Sequence, residues 1–74
     1  VEIVVNGAAR SAQVGATVAS LLTELGIAPE RVAVERNLDI VARERFSDTP
    51  LAAGDRIEII QFVGGGTGSW EGVW

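Results

Sequence analysis

Cysteine, histidine, lysine, tyrosine and methionine are all missing from this 74-residue chain, and each absence excludes some chemistry. Without cysteine there is no disulfide, so nothing in the sequence points to an oxidising compartment. Without cysteine or histidine no cluster suits a transition metal, and the carboxylates are scattered rather than arrayed as a calcium loop, so no metal site is expected. The usual nucleophiles and neutral-pH bases are gone as well. Ser11, Ser20, Ser47 and Ser69 have no histidine or lysine to activate them, so no residue is a candidate catalytic group and the chain is not expected to act as an enzyme alone. Basic charge is also sparse: the net charge is −4 and the six arginines are spread along the chain. Phosphate neutralisation needs a basic patch, so nucleic acid is not an expected partner, and an acidic surface suits partners with basic ones. No apolar run approaches the roughly 18–20 residues of a membrane span, and no basic-then-apolar leader is visible. A cytoplasmic protein with no membrane partner is the expectation.

What is present reads as one small domain with a modest aliphatic core. A chain of about this size buries only about 60 % of the surface that it exposes when unfolded. Val1, Ile3 and Val5 alternate with Glu2 and Val4 at the period of a strand. Asn6-Gly7 supplies two residues that tolerate positive φ, the favoured two-residue hairpin turn, and the less apolar arm Ala8 to Gln13 is predicted to return along a sheet edge. Thr17 suits a helix N-cap, and Val18, Leu21, Leu22 and Leu25 form one apolar stripe at helical spacing. Gly26 fits the left-handed position that ends a helix, and Pro29 prevents its resumption. Three turns with one stripe do not stand alone in water, so the stripe must lie on a sheet. Val32 to Arg36 reads as a strand, followed by a turn near Asn37 and a short strand around Ile40 and Val41. Residues 42–55 read as a polar loop with one short helical turn, and residues 56–63 as the last and strongest strand.

The predicted order is β-β-α-β-β-β, an α+β domain with one main helix on one face of a mixed four- to five-stranded sheet. Its first and last strands, both strongly apolar, are expected to pair in the centre. If Ile57 and Ile59 face the helix, Ile60 and Phe62 face away from it, because successive strand side chains alternate. Val4 shares that outer face, and the patch is a candidate docking surface. It leads directly into Gly64, Gly65 and Gly66. Three residues without side chains can enter a narrow tunnel, approach a nucleotide closely, or present a carbonyl carbon with no neighbouring Cβ. They can equally be a linker. Arg36 and Asn37 read either as partner contacts or as a solvated strand end, and Gly54-Asp55 as a turn before the last strand.

The runs VNG (5–7), VERN (34–37), ERF (44–46), GDRIEII (54–60) and QFVGGG (61–66), in this order and spacing, resemble the ThiS family of bacterial sulfur carriers, within the ThiS/MoaD ubiquitin-like group. The resemblance covers Val1 to Gly66. It implies a β-grasp, ubiquitin-like fold and a carrier function in thiazole formation for thiamin biosynthesis. An E1-like, ThiF-like adenylyltransferase would use ATP to adenylate the carboxylate of Gly66. A persulfide sulfur donor would displace AMP and leave a thiocarboxylate, and a ThiG-like thiazole synthase would take the sulfur. Gly64 and Gly65 would then be the approach into a partner's active site, and Val4, Ile60, Phe62 and Val63 the docking surface. No cofactor would be held permanently. Carriers serving molybdopterin, cysteine or another sulfur metabolite belong to the same group, and a non-covalent ubiquitin-like binding module is the alternative from a different class.

Residues 67–74, TGSWEGVW, depart from the family pattern, whose members commonly end at the last glycine. A mid-chain glycine has an amide and cannot be adenylated. The tail is therefore an extension for a peptidase to remove, an added sequence, or a retained segment anchored by Trp70 and Trp74. The first reading is favoured. With two aromatics among small polar residues, the segment is expected to be disordered.

Overall fold

The computed structural model describes residues 1–62. Its elements are β1 (Glu2–Val5), β2 (Ala8–Ser11), α1 (Val18–Leu25), a 3-10 turn at Pro29–Arg31, β3 (Val32–Arg36), β4 (Asp39–Val41), a 3-10 segment at Arg43–Asp48, and β5 (Arg56–Gln61). The five strands form one sheet in the order β2-β1-β5-β3-β4. β5 lies between β1, to which it runs parallel, and β3, to which it runs antiparallel. The first and last strands thus meet in the middle of the sheet, as their apolar sequences require, and β2 falls on an edge. The topology is the β-grasp.

Local chemistry fixes each element. Asn6 and Gly7 both adopt positive φ (49° and 84°), the twist that a two-residue hairpin needs, and glycine does so without steric penalty. Thr17 caps α1 in a reciprocal pair. Its hydroxyl accepts from the Ser20 N–H at 3.2 Å, and its own N–H donates to the Ser20 hydroxyl at 2.8 Å. At the other end Gly26 is left-handed (φ 74°), and the Ile27 N–H donates back to the Leu22 carbonyl at 2.9 Å, which closes the helix.

Val18, Leu21 and Leu22 are buried from the helix side, against Ile3, Val32, Val34, Ile57 and Ile59 from the sheet. Leu25, the fourth residue of the stripe, is half-buried at the core's rim. Phe46 and Leu51 complete the core, and here the structure differs from the polar loop read over residues 42–55. Phe46 sits in the 3-10 segment, and Leu51 is drawn in by backbone pairing: its N–H donates to the Ala16 carbonyl at 2.8 Å, while the Val18 N–H donates to the Thr49 carbonyl at 3.0 Å. The loop is a lid on one end of the core, anchored at the start of the helix. Two isolated apolar residues have no period, so nothing in their spacing marks them as core.

A domain of this length holds roughly 4–11 kcal/mol of stability. Leu22→Ala, at a fully buried site, is expected to cost about 2–5 kcal/mol in equilibrium urea unfolding. Phe46→Ala should fall in the same range; a cost under about 0.5 kcal/mol at Phe46 would show that the lid is not part of the core.

Candidate functional site: the exit of the central strand

The features that could do chemistry converge on β5, because its end leads into the glycines. Two polar clamps hold this strand. At its start lies Asp55, only 5 % exposed. Its carboxylate accepts from Arg36 Nε at 2.9 Å, from Asn37 Nδ2 at 3.0 Å and from the Ala52 N–H at 2.8 Å. Asn37 in turn accepts from the Arg56 N–H at 2.9 Å. The β3–β4 turn is thereby tied to the first residue of β5. Burial pushes the Asp55 carboxyl up, but the hydrogen bonds from Arg36, Ala52 and Asn37 and the charge of Arg36 outweigh it, leaving the pKa below its ordinary 3.8.

The second clamp is Asn6. β1 ends at Val5, yet the Asn6 side chain continues the ladder. Its Oδ1 accepts from the Ile59 N–H at 2.7 Å and its Nδ2 donates to the Ile59 carbonyl at 3.2 Å, while its own N–H donates to the Ile57 carbonyl at 2.9 Å. One amide replaces a missing strand residue and satisfies both backbone groups of Ile59. On the other side the Phe62 N–H donates to the Arg31 carbonyl at 2.9 Å. The strand is therefore held on both sides as far as Ile59, and on the β3 side as far as Phe62.

The outer face carries Val4, Ile60 and Phe62, all half-buried. The register does not group them evenly. Ile60 lies opposite Ala33 on β3, whereas Val4 lies opposite Arg56, four residues back along β5. Val4 is about 13 Å from Ile60 at the rise of a strand. Val63 and Gly64–Gly66 lie outside the described residues, as does the whole 67–74 tail. Arg36 and Asn37, open to two readings in the sequence, direct their polar groups inward to Asp55. Gly54-Asp55 is a turn that also supplies the buried carboxylate. Among the described residues no three His, Cys, Asp or Glu side chains come together to hold a metal ion. No helix among them is long and apolar enough to cross a membrane. A shallow hollow of about 460 Å³ on the helix side is lined by Val5, Ala8, Arg10, Leu25, Ile59 and Gln61 among others, and it contains no nucleophile.

A β-grasp domain whose clamped central strand precedes a glycine run in the sequence has the architecture of the ubiquitin-like proteins. Comparison with known proteins specifies which. The sequence model of the ThiS family matches residues 3–66, and the chain belongs to that family. It is 42 % identical over 50 residues to the sulfur carrier protein ThiS of Bacillus subtilis, covering 68 % of this chain and 76 % of that one. The crystal structure of a thiamine biosynthesis protein (ThiS) from Geobacter metallireducens superposes with a TM-score of 0.76 at 35 % identity, covering 89 % of this chain and 100 % of that one. The chain is also 42 % identical over 66 residues to a thiazole synthase of Paramagnetospirillum magneticum and 45 % identical over 65 residues to one of Magnetococcus marinus. These matches cover 89 % and 88 % of this chain, which spans only 20 % of the length of each of those proteins. Family and fold together support a sulfur-carrier role in thiamine biosynthesis.

Asp55→Ala should cost on the order of 3 kcal/mol, the lower end of the range for breaking a buried pair, because Arg36 can swing into solvent. The pH dependence has a defined sign. The folded carboxyl binds its proton less readily than the unfolded one, so its contribution is present above about pH 3.8 and is lost as pH falls through the folded value. In Asp55→Ala the acid limb of an unfolding curve should flatten. Asn6→Ala should cost about 1–3 kcal/mol and accelerate hydrogen exchange at the Ile59 amide; unchanged exchange there would disprove the clamp.

Proposed function

We propose that this domain carries sulfur for thiazole formation as a thiocarboxylate on Gly66, after residues 67–74 have been removed. The observation that carries the reading is the extent of the family match, which ends on Gly66, the third consecutive glycine. In this reading the terminal carboxylate attacks the α-phosphorus of ATP on a ThiF-like adenylyltransferase, expelling pyrophosphate. A persulfide sulfur then attacks the acyl carbon, expels AMP and forms an acyl disulfide. A thiol cleaves the S–S bond and leaves the thiocarboxylate, which a ThiG-like thiazole synthase consumes. Every catalytic group, every thiol and the ATP site belong to partners, in keeping with a chain that has no Cys, His or Lys. Glycine at the reacting end removes the Cβ that would hinder approach to the acyl carbon. The outer-face residues Val4, Ile60, Phe62 and Val63 supply docking, Gly64 and Gly65 reach into the partner's site, and the setting is the cytoplasm.

A second arrangement is favoured by one observation, the 20 % coverage of the two thiazole synthases. In it, the domain is a segment of a longer thiazole synthase chain, and residues 67–74 lead into the remainder. Cleavage after Gly66 would release the carrier; without cleavage the domain would act by docking alone.

Mass spectrometry of the protein from its native cells separates these arrangements. The carrier reading expects chains ending at Gly66, a fraction with one oxygen replaced by sulfur; if all chains continue past Gly66 while thiazole is still made, the reading fails. In the trimmed protein, Gly66→Ala should lower ATP–pyrophosphate exchange by the partner about a hundredfold, with no change in melting temperature.

A further inference from the structure

The chain has two hairpins with the same two-residue turn geometry, and they are built differently. The first uses Asn6-Gly7, with φ of 49° and 84°; the second uses Asn37-Leu38, with φ of 53° and 75°. Leucine in the left-handed region is strained, because its Cβ crowds the backbone, and glycine would not be. Burial does not compensate that strain, since Leu38 is 88 % exposed. Two residues on, Ile40 is 78 % exposed. The fold gains nothing from a large apolar side chain at either place, and solubility is impaired by both.

The register shows what surrounds them. Ile40 lies opposite Glu35, and Glu35 lies opposite Glu58. This row crosses β4, β3 and β5 on the face away from the helix. Directly opposed carboxylates repel one another across strands. Neither has an ion-pair partner among the described residues, where the ion pairs are Arg10–Glu24 and Arg36–Asp55. The β3–β4 turn lies at the start of β5, since Arg36 pairs with Ile57. It is thus about 13 Å along the sheet from Gln61, the last residue of β5. A strained, exposed leucine, an exposed isoleucine and two opposed carboxylates thus share one region of the sheet, and one occupant would cover the apolar side chains and neutralise the acidic ones.

We infer that Leu38, Ile40, Glu35 and Glu58 extend the outer docking face from Ile60, two residues beyond Glu58 on β5, to the β3–β4 turn, for a protein partner that offers an apolar depression rimmed by arginine or lysine. The inference rests on the reading of this domain as a carrier acted on by other enzymes, and it assigns the surface to the thiazole synthase, because the matched relatives named thiazole synthase contain a segment like this one. Contact along this extended face orients the carrier while the glycines reach the site, and the basic rim neutralises the paired carboxylates.

Two variants test it, because for each the inference moves stability and binding in opposite directions. Leu38→Gly removes the strain and should raise the melting temperature by about 4–8 °C. Glu58→Arg converts the repelling pair into an attracting one and should also raise it. Both should weaken binding of thiazole synthase about tenfold or more in calorimetric titration, with Glu58→Arg also reducing the salt dependence of the affinity. The probe is a separately produced thiazole synthase without a carrier segment, titrated with the full 74-residue chain. If the unaltered domain binds and both variants bind equally well, the inference is overturned and the carrier reading stands. If the unaltered domain does not bind at all, the inference is overturned, and the carrier reading then stands or falls on whether native chains end in a Gly66 thiocarboxylate. If Leu38→Gly abolishes self-association in sedimentation and leaves thiazole synthase affinity unchanged, the surface pairs with a second copy along the β4 edge, and the inference is likewise overturned.

Discussion

The parallel pairing of β1 with β5 is the contact on which the rest of the structure depends. It joins two aliphatic-rich strands from opposite ends of the described chain and places β5 at the centre of the sheet. The ladder itself is short, with only Val4–Arg56 and Val5–Ile57 in register. A pairing this brief between distant strands must overcome a large loop-closure entropy. The helix and the aliphatic core supply the apolar driving force, with Ile3, Leu22 and Ile57 at 1 % exposure or less. Polar side chains then extend the pairing beyond the ladder. Asn6 reproduces a strand residue against Ile59, and Asp55 fixes the approach to Arg56 through Asn37.

This arrangement links fold to function. A carrier that works through a tethered end group needs a rigid body and a defined point of departure for the tether. Here β5 is held on one side by β3 along its whole length and on the other by β1 and the Asn6 amide as far as Ile59. One of the two clamps uses Asp55, the buried polar side chain among the described residues, for architecture. The outer face is left free of such ties. It carries apolar residues at both ends of the sheet and acidic residues between them, the character of a surface that partners meet.

Much of this could be read along the chain. Asn6-Gly7, the Thr17 cap, the stripe from Val18 to Leu25 and the Gly26 stop are local signals whose meaning does not depend on distant residues. The inward and outward alternation of Ile57, Ile59, Ile60 and Phe62 followed from strand geometry alone. Other features were not legible. Phe46 and Leu51 had no period to mark them as core. Arg36, Asn37 and Asp55 each looked like an ordinary strand-end or turn residue, and only their convergence makes a clamp. Val4 was placed on the correct face, but its four-residue offset from Ile60 depends on a register that no pattern encodes. Leu38 was passed over because the strain that distinguishes it is a backbone angle and not a residue type.

By itself, then, the sequence determined the segmentation into strands and helix, the aliphatic make-up of the core, the absence of Cys, His, Lys and Tyr, and the glycine run at residues 64–66. These follow from side-chain chemistry and from periods of two and 3.6 residues, which act within a few residues of one another. Tertiary structure decided the register at the sheet's centre, the burial of the 42–55 lid, and the double use of Asn6 as turn residue and ladder extension. The Asn6–Ile59 contact spans 53 residues. It exists only once the core has closed and brought the two ends together, so no local property of either residue announces it.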